Sequence, residues 1–151
     1  TLFRSAAMVL MLLAFDQLVG WRIQAVSLLG GYLGVAITIA MDPGCTSYAG
    51  ASGALHGFFA GNFIRMGVER GHGWNTRPLA LIALTLVAVK LVIQHTTSLA
   101  YPNEVSWLGF PTYYPAHEAG TVGGLVAALL AKVLFPLHER STKHNADQRK
   151  S

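Results

Sequence analysis

Charge is scarce in this sequence. Asp, Glu, Lys and Arg make up 12% of its 151 residues and hydrophobic residues 52%, whereas an ordinary soluble domain is about 25% charged. That balance argues against a water-facing surface of normal polarity and for a chain that lives in a membrane. Cysteine is nearly absent. Cys45 stands alone, which excludes an intramolecular disulfide, and no CxxC or HExxH spacing offers a metal site. Cys45 reads as a bystander in a loop. A basic face is lacking too: the net charge is +4, but Lys and Arg are scattered between apolar runs, which argues against a nucleic-acid partner. Finally, there is no initiating methionine. The run Met8 to Phe15 has no small-residue cleavage site after it and further apolar segments follow, so it is not a signal peptide. The N-terminus reads as the cut end of a longer protein.

What the sequence does have is long apolar runs. Crossing the ~30 Å hydrocarbon core takes about 20 mostly apolar helical residues. Five segments qualify, with the third and fourth short enough to start below the membrane surface: roughly Leu2 to Val19, Ile23 to Met41, Ser52 to Met66, Pro78 to Ile93 and His117 to Phe135. The fold class expected is therefore all-α, a polytopic membrane bundle with short connections that make neighbours antiparallel. Residues 1–136 form the transmembrane domain, and 137–151, polar and of mixed charge, form a disordered cytoplasmic tail. Basic residues alternate with the crossings. Arg22 lies in the first connection, Arg65, Arg70 and Arg77 around the third, and Arg140, Lys143, Arg149 and Lys150 in the tail, while the second and fourth connections have none. By the positive-inside rule the first, third and tail segments are cytoplasmic and the other two external; Arg4 is the exception.

Two stretches carry chemistry. Gly50 to Gly57 reads GASGALHG, with Ser52 at the start of the third segment and His56 one turn later; Ala116 to Gly124 reads AHEAGTVGG, with His117 at the start of the fifth. Segments three and five run the same way, so Ser52 and His117 are expected at one level, toward the external face, within reach of each other. Serine needs a base to take its proton, and histidine, with a pKa of ~6.5, suits that task. The pair is a variant of triad logic without a carboxylate. Amides at the start of the third helix favour negative charge, so Gly50, Ala51 and Gly53 form the oxyanion and substrate approach. Ser52 alone would read as a helix cap. His117 is the stronger signal, because ionisable residues within spans are functional candidates by default.

The remaining candidates are open to plainer readings. Gly53, Gly57 and Gly61, Gly120 and Gly124, and Gly30 and Gly34 are small-xxx-small faces that let helices approach closely; at Gly53 and Gly120 that packing also sets the Ser52–His117 distance. His56 is a support under His117, a competing base or a hydrogen-bonded core histidine. Glu118 adjoins His117, but consecutive helix residues do not face each other, so it is not a third triad member. Asp16 and Lys90 lie near segment ends and snorkel to the interface. The connection Thr96 to Pro115 carries Trp107, Phe110, Tyr113 and Tyr114. These suit an aromatic interface belt, and Phe110, Tyr113 and Tyr114 also suit a lid over the site.

These residues resemble the rhomboid family of intramembrane serine proteases, whose signatures are GxSG at the start of one helix and AHxxGxxxG two crossings later. Gly50, Ser52 and Gly53 match the first, and Ala116, His117, Gly120 and Gly124 the second. The compact form and the GASGALHG wording look most like rhombosortases, a bacterial branch associated with surface proteins that carry a C-terminal Gly-Gly, a transmembrane helix and a basic tail. The resemblance implies a six-helix core whose first helix lies upstream of Thr1, Ser52 as nucleophile, His117 as base, and a single-spanning substrate cut near the external face of the bacterial inner membrane. It implies no cofactor. The chain departs from the family at two places. His56 occupies the position where many members stack a tyrosine beneath the histidine, which favours the supporting role. The family's HxxxN oxyanion pattern is missing, since the asparagines are Asn62, Asn75, Asn103 and Asn145. Two rivals stand beside the protease: a non-catalytic rhomboid-like protein that binds transmembrane helices, and a small transporter or channel. A Ser52–His117 separation beyond about 6 Å would favour them. Substrate identity and oligomeric state are not legible in the sequence.

Overall fold

A computed structural model describes residues 13, 15–16, 18–45, 51–68, 76–100 and 113–134. These residues are all-helical. Four helices follow in order: α1 Trp21–Met41, α2 Ser52–Val68, α3 Thr76–Ala100 and α4 Tyr114–Leu134. Helical residues Leu13, Phe15, Asp16, Leu18 and Val19 precede α1. They belong to the first expected segment, most of which lies outside the described residues, as does the expected tail.

Local chemistry sets the boundaries. Gly20 has φ 76°, a left-handed conformation that glycine adopts without penalty, and it separates the first helical stretch from α1. Asp42 is extended, with φ −106° and ψ 99°, because the following Pro43 disfavours helix at the residue before it. Its carboxylate then accepts from Gly44 N–H at 2.9 Å, closing a turn. The α4 helix begins three residues earlier than expected, at Tyr114, because Pro115 falls in the first turn, where a missing N–H costs no helical bond.

The largest departure from expectation is α3. The apolar run ends at Ile93, but the helix continues through Gln94, His95, Thr96 and Thr97 to Ala100. Thr96 Oγ1 donates to the carbonyls of Val92 and Ile93 at 3.0 and 2.9 Å, so its hydroxyl folds back onto the helix and does not compete with it. Lys90 consequently lies inside the helix, not near its end.

Small residues decide the packing. A Cβ on Gly53 would meet the Ala116 carbonyl, one on Gly57 the Gly120 carbonyl, and one on Gly61 the Gly124 carbonyl at 2.8 Å. These pairs ascend together, so α2 and α4 run parallel with backbones in contact. Ser27 opposes Gly61 and Val35 opposes Gly53, a descending order that makes α1 antiparallel to α2. Gly30 and Gly34 meet Gly123 and Ala119 of α4 in the same antiparallel sense. The α3 helix rests on α2, touches α4 lightly and makes no contact with α1 among the described residues.

The bundle's exterior is far more apolar than that of a protein in water. Its interior combines an apolar cluster that includes Phe15, Val19, Ile23, Phe58 and Met66 with Gly, Ala and the buried polar side chains Gln24, Ser27, Asn62, Arg65 and Thr121, while Leu29, Leu33, Ile37, Leu81, Ile82, Leu86, Val92 and Val126 face outward. Two helical stretches are long and apolar enough to cross a membrane, Trp21–Met41 and Thr76–Thr97.

Candidate active site

Ser52 is the first residue of α2. The carbonyl of the preceding Ala51 accepts from Leu55 N–H at 2.9 Å, so Ala51 caps the helix. The amides of Ser52 and Gly53 then have no helical carbonyl behind them. Gly50 lies outside the described residues, as does Phe110. On α4, Ala116 is fully buried and His117 is 6% exposed. Because α2 and α4 are parallel and in backbone contact at Gly53, Ala116 and Gly120, Ser52 and His117 lie at the same end of the bundle. Ser52 Oγ and His117 Nε2 are 2.9 Å apart, although 65 residues separate them in the chain.

No family model matches this chain, and no curated protein or solved structure matches it.

His56 lies beneath His117. The rings stack with centroids 4.4 Å apart and planes 18° from parallel. Both His56 nitrogens are engaged: Nδ1–H donates to the Ser52 carbonyl at 2.7 Å, and Nε2 accepts from Lys90 Nζ at 2.8 Å. A ring with both nitrogens occupied has no lone pair for the Ser52 hydroxyl. The geometry thus favours the supporting role of His56 and removes the competing base. It also corrects the placement of Lys90, whose amine turns inward onto the histidine stack. The span rule for ionisable residues would have flagged Lys90 had the helix not been ended at Ile93.

Two further contacts were not anticipated. Gln94 Oε1 accepts from His117 Nδ1–H at 3.2 Å, and His95 Nδ1–H donates to Glu118 Oε1 at 2.8 Å. Glu118 thus faces α3 and not its neighbour His117. Lys90 and Gln94, four residues apart, lie on one face of α3; that spacing was the available signal. The Thr121 hydroxyl donates to the His117 carbonyl at 2.7 Å, a bond within α4.

Of the lid candidates, Tyr114 packs edge-on to His117 with centroids 6.4 Å apart. Tyr113 hydroxyl donates to Asp42 Oδ2 at 2.6 Å, joining the end of α1 to the start of α4. This bond holds the Asp42 carboxyl below its ordinary 3.8, with help from Gly44 N–H, and pushes the Tyr113 phenol up to about 12. Gly120 and Gly124 face α2 and serve the packing. Among the described residues no group of His, Cys, Asp and Glu gathers to hold a metal ion.

Proposed function

We propose that this protein is an intramembrane serine endopeptidase of rhomboid type, a bundle whose five apolar segments each span the membrane, with a Ser52–His117 dyad. The observation that carries the proposal is the 2.9 Å contact between Ser52 Oγ and a buried imidazole nitrogen, at the N-terminus of a helix whose first amides have no carbonyl of their own helix to bond. The outward-facing apolar surface and the charge alternation support the membrane setting.

In the proposed reaction the Ser52 proton passes to His117 Nε2 as Oγ attacks the scissile carbonyl carbon. The resulting oxyanion is held by the Ser52 and Gly53 amides, where the helix dipole favours negative charge. The imidazolium then protonates the leaving amine, the peptide C–N bond breaks, and an acyl-enzyme remains. Water, deprotonated by His117, hydrolyses that ester and returns the proton to Ser52. The substrate is a single-spanning membrane protein cut near the external face of a bacterial inner membrane. By resemblance, the C-terminal Gly-Gly sorting segment of surface proteins is the segment to test.

Reaction of the membrane-embedded protein with a fluorophosphonate probe tests the proposal. Wild type should become labelled at Ser52, and Ser52→Ala and His117→Ala should insert normally but stay unlabelled. Equal labelling of Ser52→Ala would refute the mechanism. The missing HxxxN pattern favours a second reading, a non-catalytic protein that binds transmembrane helices, and that reading predicts no labelling of wild type.

A further inference from the structure

A Ser–His pair works only if the imidazole presents a lone pair to the serine, and nothing in α2 or α4 ensures this at His117. A neutral imidazole carries its proton on one nitrogen or the other. With the proton on Nε2, the ring would point N–H at Ser52 Oγ and could not take the serine proton.

The contact that decides the tautomer comes from α3. Gln94 Oε1 is an amide oxygen, able only to accept, and it lies 3.2 Å from His117 Nδ1. With the amide oxygen facing the ring, the bond places the proton on Nδ1 and leaves the Nε2 lone pair directed at Ser52 Oγ, 2.9 Å away. We propose that Gln94 is a positioning residue of the dyad, an uncharged hydrogen-bond acceptor that fixes His117 as its Nδ1–H tautomer. This rests on Ser52 and His117 being nucleophile and base.

The surrounding contacts explain how a lightly packed helix holds Gln94 in register. The α3 helix offers mostly outward-facing apolar residues and meets α4 only at an edge. Beyond its packing on α2, it is tied beside the dyad by polar contacts on either side of Gln94: Lys90 to His56 one turn before, and His95 to Glu118 immediately after. Glu118 is occupied by His95, which leaves the neutral amide of Gln94 as the group that faces His117 Nδ1. When His117 takes the serine proton on Nε2, Nδ1–H stays with the ring and its bond to Gln94 becomes charge-assisted, hence stronger as the imidazolium forms.

The test separates positioning from folding with Gln94→Met, similar in length but without an acceptor, and Gln94→Glu, which keeps one. With a fluorophosphonate probe, Gln94→Met should lower the maximal inactivation rate about 10- to 100-fold, the range for a hydrogen bond to a charged group, with the probe's binding constant unchanged. Gln94→Glu should restore most of that rate. Nitrogen NMR of histidine-labelled protein, with His117 assigned by its loss in His117→Asn, should show one Nδ1–H tautomer in wild type and a tautomer mixture in Gln94→Met. A wild-type inactivation rate in Gln94→Met, or an unchanged single tautomer, overturns the inference. If wild type fails to react at all, the peptidase reading falls, and the NMR comparison still decides whether Gln94 fixes the tautomer.

Discussion

Ser52 and His117 are unequally placed. Ser52 is exposed at the mouth of the site, whereas His117 is buried between a stacked ring below, a tyrosine edge and a glutamine. His117 is thus held by several groups, and Ser52 by its backbone and one hydrogen bond. In the proposed mechanism the two act as a unit, so the Ser52→Ala, His117→Ala double variant should be as inactive as either single one; a further large loss in the double variant would show independent roles. His56 contributes a flat surface as well as hydrogen bonds. His56→Phe should retain more activity than His56→Ala, by up to about tenfold, since an aromatic pair is worth about 0.5–1.5 kcal/mol beyond its buried area. Equal rates for the two variants would mean that stacking contributes nothing.

The helices supply what those side chains lack, a fixed distance. The α2 and α4 backbones meet along Gly53, Gly57 and Gly61 against Ala116, Gly120 and Gly124, so any added atom must push the helices apart. Gly120→Ala drives a Cβ toward the Gly53 carbonyl. It should cost about 1–3 kcal/mol, as overpacking does, and it should widen the Ser52–His117 gap and slow labelling. Gly67 is the internal control. It is also in α2, but its nearest neighbour would be the Ala80 Cβ at 3.8 Å, an ordinary contact. Gly67→Ala should stabilise by about 0.5–1 kcal/mol through helix propensity. Unfolding in detergent micelles measures both, and loss of stability in both variants would count against the close-packed ladder.

For the whole molecule, the contact between Asp42 and Tyr113 joins the end of α1 to the start of α4 at the site's end of the bundle. Its pH dependence follows from the two shifts. The Asp42 pKa is depressed, so its contribution is complete above 3.8 and fades as pH falls through the lower folded value. The Tyr113 pKa is raised from 10.0 to about 12, so its contribution is complete below 10.0 and is lost as pH rises through about 12. Ultraviolet titration of tyrosinate should show one phenol near 12 in wild type that vanishes in Tyr113→Phe; a Tyr113 that ionises with the rest would show the contact absent. Orientation in the bilayer has its own probe in Cys45, the sole cysteine, in the connection after α1. A membrane-impermeant maleimide should label it in right-side-out vesicles. Labelling confined to inverted vesicles would reverse the proposed topology.

The sequence by itself determined the helical class, the ends of the apolar runs at Val19 and Met41, and the small-residue faces, because these depend on hydropathy and on periodicity within one helix. It also singled out Ser52, His117 and His56, since polar and reactive side chains stand out against apolar runs. It did not find the end of α3, because threonine hydroxyls that bond back to their own helix read as loop chemistry until the backbone is seen. Tertiary structure alone decided the partners: Lys90 on His56, Gln94 on His117, Glu118 on His95 and Tyr113 on Asp42. Each joins residues on different elements, and such pairings depend on how the helices are rotated about their axes. That rotation is set by the Gly–Ala ladder and by which faces shed water or lipid, and no spacing within a single run records it.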